Sequence, residues 1–486
     1  MSTLARHRFP LPRPRRDRLN LVVGLLAIAI LGVLAGIQYV APDKRVLAVS
    51  MAALVFGVAW RLDTVSAIGL LVLALPYPRG TTFGNTNFAL LLLLLLIWLL
   101  RARRDPAQAP RRTGVDLPII GLLIMYVISF YNVETVHYAI SAFSNLLVFL
   151  SCLGLYYLVV NNVRTTAQLK RLHVFQTISI ATITLFGIYE MDHPGAVIVP
   201  GWIVLGGVGA TEGINVHDMR IGGPFFDYEL LAEFAAISFL FVVFQWLQAR
   251  SAARRVLYIG LSLAMLVILF ATVTRGAIIS LAAGALYLLW VQRRYLRFVP
   301  LTLWAGAVAV IIPIVNSFVA NYTHAGDLFG RLFRAESIEF VGGLPMQRAE
   351  LWKSAFNRMM DHPFIGHGPH YVTERGIAIW YWPHNGYLYI GHLVGLIGLS
   401  FYLWILWRLW RMSSIGRQSI SGPSYTRAFL VIANAQLLVF MIDQLKIDFA
   451  RNNIYTYVAW LLFATIAAAH QIVRREEPDT LPPQSP

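Results

Sequence analysis

Long apolar runs, separated by short polar or basic stretches, fill most of the chain. A transmembrane helix needs about 20 mostly apolar residues. Fourteen stretches reach or approach that length: 20–40, 46–60, 64–77, 88–100, 117–131, 141–160, 173–189, 229–247, 256–274, 276–292, 298–319, 386–407, 428–444 and 454–471. Three of the early stretches are short enough to be half-spans. The pattern therefore predicts twelve to fourteen transmembrane helices.

The composition excludes a soluble protein. Of the 486 residues, 57% are hydrophobic and 13% are charged, whereas soluble domains average about 45–50% apolar and about 25% charged residues. The apolar stretches are also too long, and alternate too weakly, for a transmembrane β-barrel. The single cysteine, Cys152, excludes a disulfide framework and a cysteine-bound metal. We expect an all-α polytopic membrane protein.

The net charge of +16 is distributed unevenly. Lys and Arg concentrate in the N-terminal tail and in the loops on one side of the predicted bundle, and such an excess marks the cytoplasmic side. Both termini are therefore predicted to be cytoplasmic. The surplus charge also suits contact with anionic membrane lipids. Because the sequence shows no soluble basic domain, we expect no nucleic-acid partner.

The predicted spans and loops divide the chain into five parts. These are a basic cytoplasmic tail at 1–19, a transmembrane bundle at 20–319 with an outer loop at 190–228, a large outer loop at 320–385, C-terminal transmembrane helices at 386–471 and a cytoplasmic tail at 472–486. Apolar residues at helical spacing predict a helix over 345–360, ended by Asp361-His362-Pro363. The large outer loop is the predicted place for polar chemistry.

Ionisable residues at the outer ends of spans are the first candidates for a functional site. His384 precedes a span, and a histidine there could act as a general base near neutral pH. The alternative is an interfacial histidine among aromatic residues. Arg220 precedes a Gly-Gly-Pro turn, so the guanidinium and the N–H groups of the turn could together bind an anion. The alternative is a loop arginine paired with Asp218 or Glu229.

Other arginines on the outer side could also bind an anion. Arg275 lies in a short connection between two spans, where it could instead anchor the membrane interface. Arg348 lies on the predicted loop helix and could simply pair with Glu350 on a solvated face. Arg331 and Arg334 are further candidates on the same loop.

Metal and nucleotide chemistry are not expected. The outer side holds eight histidines, but no H-E-x-x-H or cysteine pattern accompanies them, and the sequence contains neither a GxxxxGK[ST] loop nor a G-x-S-x-G elbow. These histidines are His193, His217, His324, His362, His367, His370, His384 and His392. A polar cluster near the last hairpin could pair internally or line the entrance to a site. It comprises Asp443, Lys446, Asp448 and Arg451.

Five short motifs occur in a particular order along the chain. They are Arg220-x-Gly-Gly-Pro-Phe, Thr274-Arg275-Gly276-Ala277, Arg348-x-x-Leu-Trp352, Asp361-His362-Pro363-Phe364-Ile365-Gly366-x-Gly368-Pro369 and His384-Asn385-x9-Gly395-x-x-Gly398. This order resembles the O-antigen ligase and O-antigen polymerase family of bacterial membrane glycosyltransferases. The resemblance covers about 210–400 by motif and the rest by hydropathy alone.

The resemblance implies a glycosyltransferase C-like bundle of about a dozen helices in the bacterial inner membrane, with a periplasmic active site in the large loop. The implied donor is a glycan on undecaprenyl pyrophosphate, transferred with inversion and without a metal or cofactor. Ligases of the family pass the glycan to lipid A–core, and polymerases pass it to another lipid-linked glycan.

The motifs also imply roles for residues of this chain. His384 would be the base, and Arg220 and Arg348 would bind the pyrophosphate. The expected substrate-binding residues are Arg275, Arg331, Arg334, Asn385 and Tyr381, with Arg331 or Arg334 as the alternative to Arg348.

An O-antigen ligase acting as a monomer is the leading hypothesis, because the His-Asn-x9-Gly-x-x-Gly spacing is intact. An O-antigen or exopolysaccharide polymerase is the alternative within the class. A transporter of lipid-linked glycans is less favoured, because transporters usually show related halves and ionisable residues near the midplane.

Overall fold

The computed structural model describes residues 61–76, 86–105, 109–193, 195–199, 203–205, 220–272, 274–294, 313–314, 317, 340–341, 344–370, 383–415, 422–451 and 453–476. The chain divides into two compact units, Met1–Leu62 and Asp63–Pro486. The described helices and strands all belong to the second unit. The predicted spans at 20–40 and 46–60, and nearly all of 298–319, lie outside the described residues.

The described residues are predominantly helical. The helices are α1 Thr64–Ala74, α2 Thr86–Arg104, α3 Asp116–Ile128, α4 Val136–Asn162, α5 Thr166–Asp192, α6 Tyr228–Gln248, α7 Ala252–Ala271, α8 Arg275–Gln292, α9 Met346–Asp361, α10 Gly386–Ser413, α11 Tyr425–Asp443 and α12 Asn453–Glu476. Short 3-10 helices cover Ser129–Asn132, Gly223–Phe225 and Phe449–Arg451. Two antiparallel pairs of short strands complete the described part: β1 Val197–Val199 with β2 Ile203–Val204, and β3 Phe340–Val341 with β4 Leu344–Pro345.

Eight of the described helices are long and apolar enough to cross a membrane, namely α4 to α8 and α10 to α12. Two shorter apolar helices occupy Thr64–Ala74 and Asp116–Asn132. The chain is therefore a multi-pass, α-helical membrane protein, as the sequence predicted. Its predicted loop helix over 345–360 corresponds to α9.

Burial is uneven among the spanning helices. The most apolar windows of α6, α11 and α12 are 78%, 78% and 83% buried, whereas those of α7 and α8 are 28% buried. Helices α6, α11 and α12 therefore form the centre of the bundle. Polar side chains begin two of the helices that carry or follow candidate residues: the Asp227 carboxylate accepts from N–H groups in the first turn of α6, and Asn385 does the same for α10.

Helix α10 is broken at Gly395, whose φ of 70° is in the left-handed region that glycine tolerates. The break leaves the carbonyls of His392 and Leu393 available to other donors. They accept from the N–H groups of His367 (2.9 Å) and Gly368 (3.1 Å) in the loop after α9. This loop therefore packs backbone to backbone against the broken helix.

The contact is completed from the other side of the break, where the Leu396 N–H donates to the Pro363 carbonyl at 2.7 Å. A Cβ atom on Gly395 would overlap the carbonyl oxygen of Phe364, and one on Gly366 would lie 2.5 Å from the Leu393 carbonyl. We call this backbone contact of 363–368 with 392–396 the glycine joint. It fixes α9, which carries Arg348, against α10, which follows His384.

Candidate active site

His384 is held in an unusual backbone conformation at the start of α10. Its φ is 46°, which a non-glycine residue rarely adopts and which clusters at functional sites. The next residue, Asn385, accepts from the N–H groups of Tyr387 and Leu388 and donates through Nδ2 to the Leu445 carbonyl at 3.3 Å. Asn385 thus acts as a helix cap that fixes the position of the neighbouring imidazole.

Glu229, in the first turn of α6, joins two of the predicted residues. One carboxylate oxygen, Oε2, lies 3.0 Å from Nδ1 of His384, and the other, Oε1, accepts from Nη2 of Arg348 at 2.9 Å. The Glu229 side chain is 9% exposed, while those of His384 and Arg348 are 26% and 32% exposed. The three side chains form what we call the His384–Glu229–Arg348 cluster.

The cluster determines which nitrogen of His384 can accept a proton. An ionised carboxylate only accepts hydrogen bonds, so the Nδ1 atom facing Glu229 carries a hydrogen. In the neutral ring the other nitrogen, Nε2, then has a free lone pair. A histidine with one nitrogen bound to a carboxylate and the other available is arranged as a general base.

Besides Glu229, Arg348 contacts the segment that carries Lys446. Its Nη1 atom points to the carbonyl oxygen of Lys446 at 3.4 Å, and the Lys446 side chain forms an ion pair with buried Asp443 at 2.6 Å. Asp443 also accepts from Ser280 Oγ of α8 at 2.8 Å. The sequence allowed the C-terminal polar cluster either to pair internally or to line the entrance to a site. Internal pairing is confirmed for Asp443 and Lys446, and the Lys446 carbonyl contacts Arg348. The Arg451 side chain lies outside the described residues.

Arg275 begins α8 next to the polar cluster that contains Asp443 and Lys446. The following residue, Gly276, packs directly on the Lys446 side chain, so that a Cβ atom there would overlap it. The structure therefore brings the segment carrying Arg275 to the Lys446 segment that Arg348 contacts.

Arg220 lies against the first turn of α6, and Asp218, one of the partners predicted for it, lies outside the described residues. The Arg220 guanidinium lies over the Tyr228 ring, 4.5 Å from the centroid, and Tyr228 precedes Glu229 along α6. The carboxylate of Glu229 is already engaged by His384 and Arg348. The expectation that the Gly-Gly-Pro turn offers its N–H groups to a ligand is wrong, because Gly222 and Gly223 donate them to buried Glu190 at 3.2 and 2.6 Å.

Three of the other outer histidines in the described ranges pack against one another. The rings of His362 and His367 lie 4.6 Å apart, and those of His367 and His392 stack at 4.4 Å. Burial lowers the pKa of His367, and it lowers the pKa of His370 to about 4, so both rings are neutral at neutral pH. Within the described ranges, no three His, Cys, Asp or Glu side chains are placed to hold one metal ion.

Some predicted residues lie outside the described part of the chain: Arg331, Arg334, Tyr381, His217 and His324. The important residue that the sequence did not single out is Glu229, which entered only as a possible partner of Arg220. Two carboxylates, Glu229 and Glu233, near the start of an apolar span were the available signal, since such residues are costly in a membrane unless they have a partner. Glu190, which holds the Gly222-Gly223 turn, carried the same signal at the other end of a span.

A protein-family model described as O-Antigen ligase matches residues 260–403. The match includes Arg275, Arg348 and His384 and supports assignment to the O-antigen ligase and polymerase family. A comparison with curated proteins finds no match. The family match and the eight apolar helices together support a multi-pass membrane protein with a glycosyltransferase role of the ligase or polymerase type.

Proposed function

We propose that this chain transfers a glycan from undecaprenyl pyrophosphate to an outer-leaflet acceptor, and that the acceptor is lipid A–core, so that the protein is an O-antigen ligase. The observation that carries the proposal is the His384–Glu229–Arg348 cluster. In it a base and a cation from the family-matched segment, His384 and Arg348, both contact a carboxylate of the central helix α6. The protein acts as a monomer in the bacterial inner membrane, with both termini cytoplasmic and the site on the periplasmic side.

In this mechanism His384 activates the acceptor. Its Nε2 atom takes the proton from the acceptor hydroxyl while the hydroxyl oxygen bonds to the anomeric carbon. Glu229 holds Nδ1 and stabilises the imidazolium that forms. A positioned general base contributes about 10²–10⁴ in rate. Because the oxygen attacks opposite the departing phosphate, the anomeric configuration is inverted.

Arginines take up the charge on the leaving group. As the glycosidic bond breaks, its electron pair passes to the pyrophosphate oxygen, whose negative charge grows. A guanidinium is always protonated and binds phosphate with two N–H groups. Arg348 would provide this contact together with Arg220 and Arg275, and Arg331 and Arg334 remain candidates. The donor is already activated, so the proposal needs no nucleotide, metal or other cofactor.

The alternative acceptor is a second lipid-linked glycan, which would make the protein an O-antigen or exopolysaccharide polymerase. The same cluster serves both reactions, because each needs a base for a sugar hydroxyl and cations for a pyrophosphate. A lipid-linked glycan transporter is the less favoured function, since a transporter needs no paired base and anion site at the end of its helices.

Reconstitution of the purified chain in liposomes tests the proposal. One lipid-linked glycan is supplied with lipid A–core, with a second lipid-linked glycan, or with neither. We expect the glycan on lipid A–core for the wild type and a loss of transfer in His384→Ala at equal membrane insertion. Elongated lipid-linked glycan would identify the polymerase instead, and normal transfer by His384→Ala would refute the base assignment.

A further inference from the structure

The depth of the glycine joint in the membrane can be calculated from the anchors of α10. Trp404, Trp407 and Trp410 lie towards the C-terminal end of this helix, and Arg411 stacks on Trp407 at 5.2 Å. Tryptophan and arginine are typical of the boundary between hydrocarbon and water. We therefore place one membrane boundary near Arg408.

Gly395 lies thirteen residues before Arg408. At a rise of about 1.5 Å per residue, this separation is about 20 Å along the helix. The hydrocarbon layer is about 30 Å thick, so Gly395 lies about 10 Å inside the boundary near His384. Using Arg411 as the anchor still leaves Gly395 about 6 Å inside, and any tilt of the helix moves it deeper.

The loop after α9 reaches the same depth, because it bonds directly to this part of α10. Its carbonyl of Pro363 and its N–H groups of His367 and Gly368 all contact residues 392–396. Irregular backbone is tolerated at membrane depth where protein buries it or where it lines a water-filled cleft. The glycine joint satisfies this condition in part, since one carbonyl and two N–H groups of the loop pair with backbone groups of the broken helix.

Helix α9 shows two distinct exposed surfaces. Ala355 and Met359 face the protein, and Met359 packs on Gly391 of α10. Beside this buried face runs an apolar edge formed by Phe356, Met360 and, after the helix, Phe364, which are 49%, 45% and 66% exposed. The remaining exposed surface is polar and includes Ser354, Asn357 and Asp361.

The apolar edge continues a surface that faces lipid. Leu396, Ile397 and Leu403 of α10 are 40%, 41% and 46% exposed, and Leu396 adjoins Pro363 through the glycine joint. Because Phe356, Met360 and Phe364 extend a helix surface that faces lipid, we expect their side chains to face lipid as well. Exposing this apolar surface to water would be unfavourable, and contact with acyl chains avoids that cost.

We propose that the second half of α9 and the turn over 363–368 dip into the lipid leaflet nearest His384, with Phe356, Met360 and Phe364 in contact with phospholipid acyl chains. The polar surface of α9 faces an aqueous cleft. Arg348, in the first turn of α9, then lies near the headgroup level, where the phosphates of a membrane-bound lipid reside. This proposal concerns the position of α9 and does not depend on the reaction proposed above.

Site-directed spin labelling of the full chain in phospholipid vesicles tests the insertion. Cysteines are introduced singly at Phe356, Met360 and Phe364 in a Cys152→Ala background, and the labels are exposed to oxygen, which partitions into lipid, or to a water-soluble nickel chelate. Ser354→Cys and Asn357→Cys are the matched controls on the polar surface of the same helix. Leu403→Cys gives the value for a lipid-facing label.

We expect the three apolar positions to resemble the Leu403 label, with loss of nickel accessibility and high oxygen accessibility, while the two polar positions remain accessible to nickel. Nickel accessibility at all five labelled positions, four on α9 and one just after it, would overturn the proposal, because this segment would then lie in water. Exclusion of both reagents from the apolar positions would also overturn it, because protein would then cover that edge. No lipid-linked donor is added, so the acyl chains of the vesicle are the only lipid source.

Discussion

The Glu229→Gln substitution is the most direct perturbation of the proposed site, because it keeps the shape of the side chain and removes the charge. Nη2 of Arg348 donates to one oxygen of the carboxylate, and Nδ1 of His384 donates to the other when the carboxylate is ionised. An amide offers one oxygen and one NH₂ group, so it can accept from only one of them. Arginine cannot lose its proton, so the amide oxygen will face Arg348 and the NH₂ group will face His384.

The consequence for His384 is a change of tautomer. With an NH₂ group opposite, Nδ1 must become the acceptor, and the hydrogen moves to Nε2, where it blocks the position that should take the proton of the acceptor hydroxyl. Charge-assisted hydrogen bonds contribute about 1.5–3 kcal/mol each. In the variant both hydrogen bonds persist, but to a neutral amide, and water screens part of the lost charge because His384 and Arg348 are 26% and 32% exposed; the larger effect is therefore the change of tautomer at His384.

A base held in the wrong tautomer forfeits its contribution of about 10²–10⁴ in rate, so kcat should fall by at least about 10², which corresponds to a barrier about 3 kcal/mol higher. The assay is glycan transfer in vesicles, with kcat and KM measured for the wild type, Glu229→Gln and Glu350→Gln. Glu350 is exposed on α9 and receives the same chemical change, so its variant should match the wild type. Thermal unfolding in detergent checks that both variants are folded. If Glu229→Gln were as active as Glu350→Gln, the orientation of His384 by Glu229 would be refuted.

Three further predictions concern the joint, the second arginine and the metal. Gly395→Ala should lower the Tm of the full chain in detergent because its Cβ overlaps the Phe364 carbonyl, whereas Gly260→Ala, in open space on α7, should stabilise by up to about 1 kcal/mol; equal Tm values would show that the joint tolerates a side chain. Arg220→Lys should reduce transfer nearly as much as Arg220→Ala because lysine lacks the planar fork, and a fully active lysine variant would contradict phosphate binding there. EDTA should leave transfer unchanged, and loss of activity that one particular ion restores would show a metal requirement.

The sequence was sufficient to predict the class of protein and the approximate position of most described helices. Hydropathy depends on each short stretch alone, so a run of apolar residues is recognisable without any knowledge of its neighbours. The helix predicted over 345–360 is α9, and the predicted position of His384 immediately before a span agrees with its place at the start of α10. The fourteen-span count is not comparable, because three of the spans lie wholly or largely outside the described residues.

The partners of the candidate residues were not predictable in the same way. The sequence suggested Glu350 as the partner of Arg348, two residues away, but the structure provides Glu229, 119 residues away. It suggested that Gly222 and Gly223 serve a ligand, but Glu190 takes their N–H groups, 32 and 33 residues away. Each alternative is chemically reasonable, and charge or residue type does not distinguish between them.

The amino-acid sequence by itself determined that this chain crosses a membrane, that a helix interrupts its large loop, and that an imidazole and several guanidiniums lie at the ends of spans. Tertiary structure alone decided that Glu229 links His384 to Arg348, and that the glycines of two distant motifs meet in one backbone contact. The reason is physical: membrane insertion depends on the solvation of each segment, whereas a charged pair depends on how α6, α9 and α10 pack side by side.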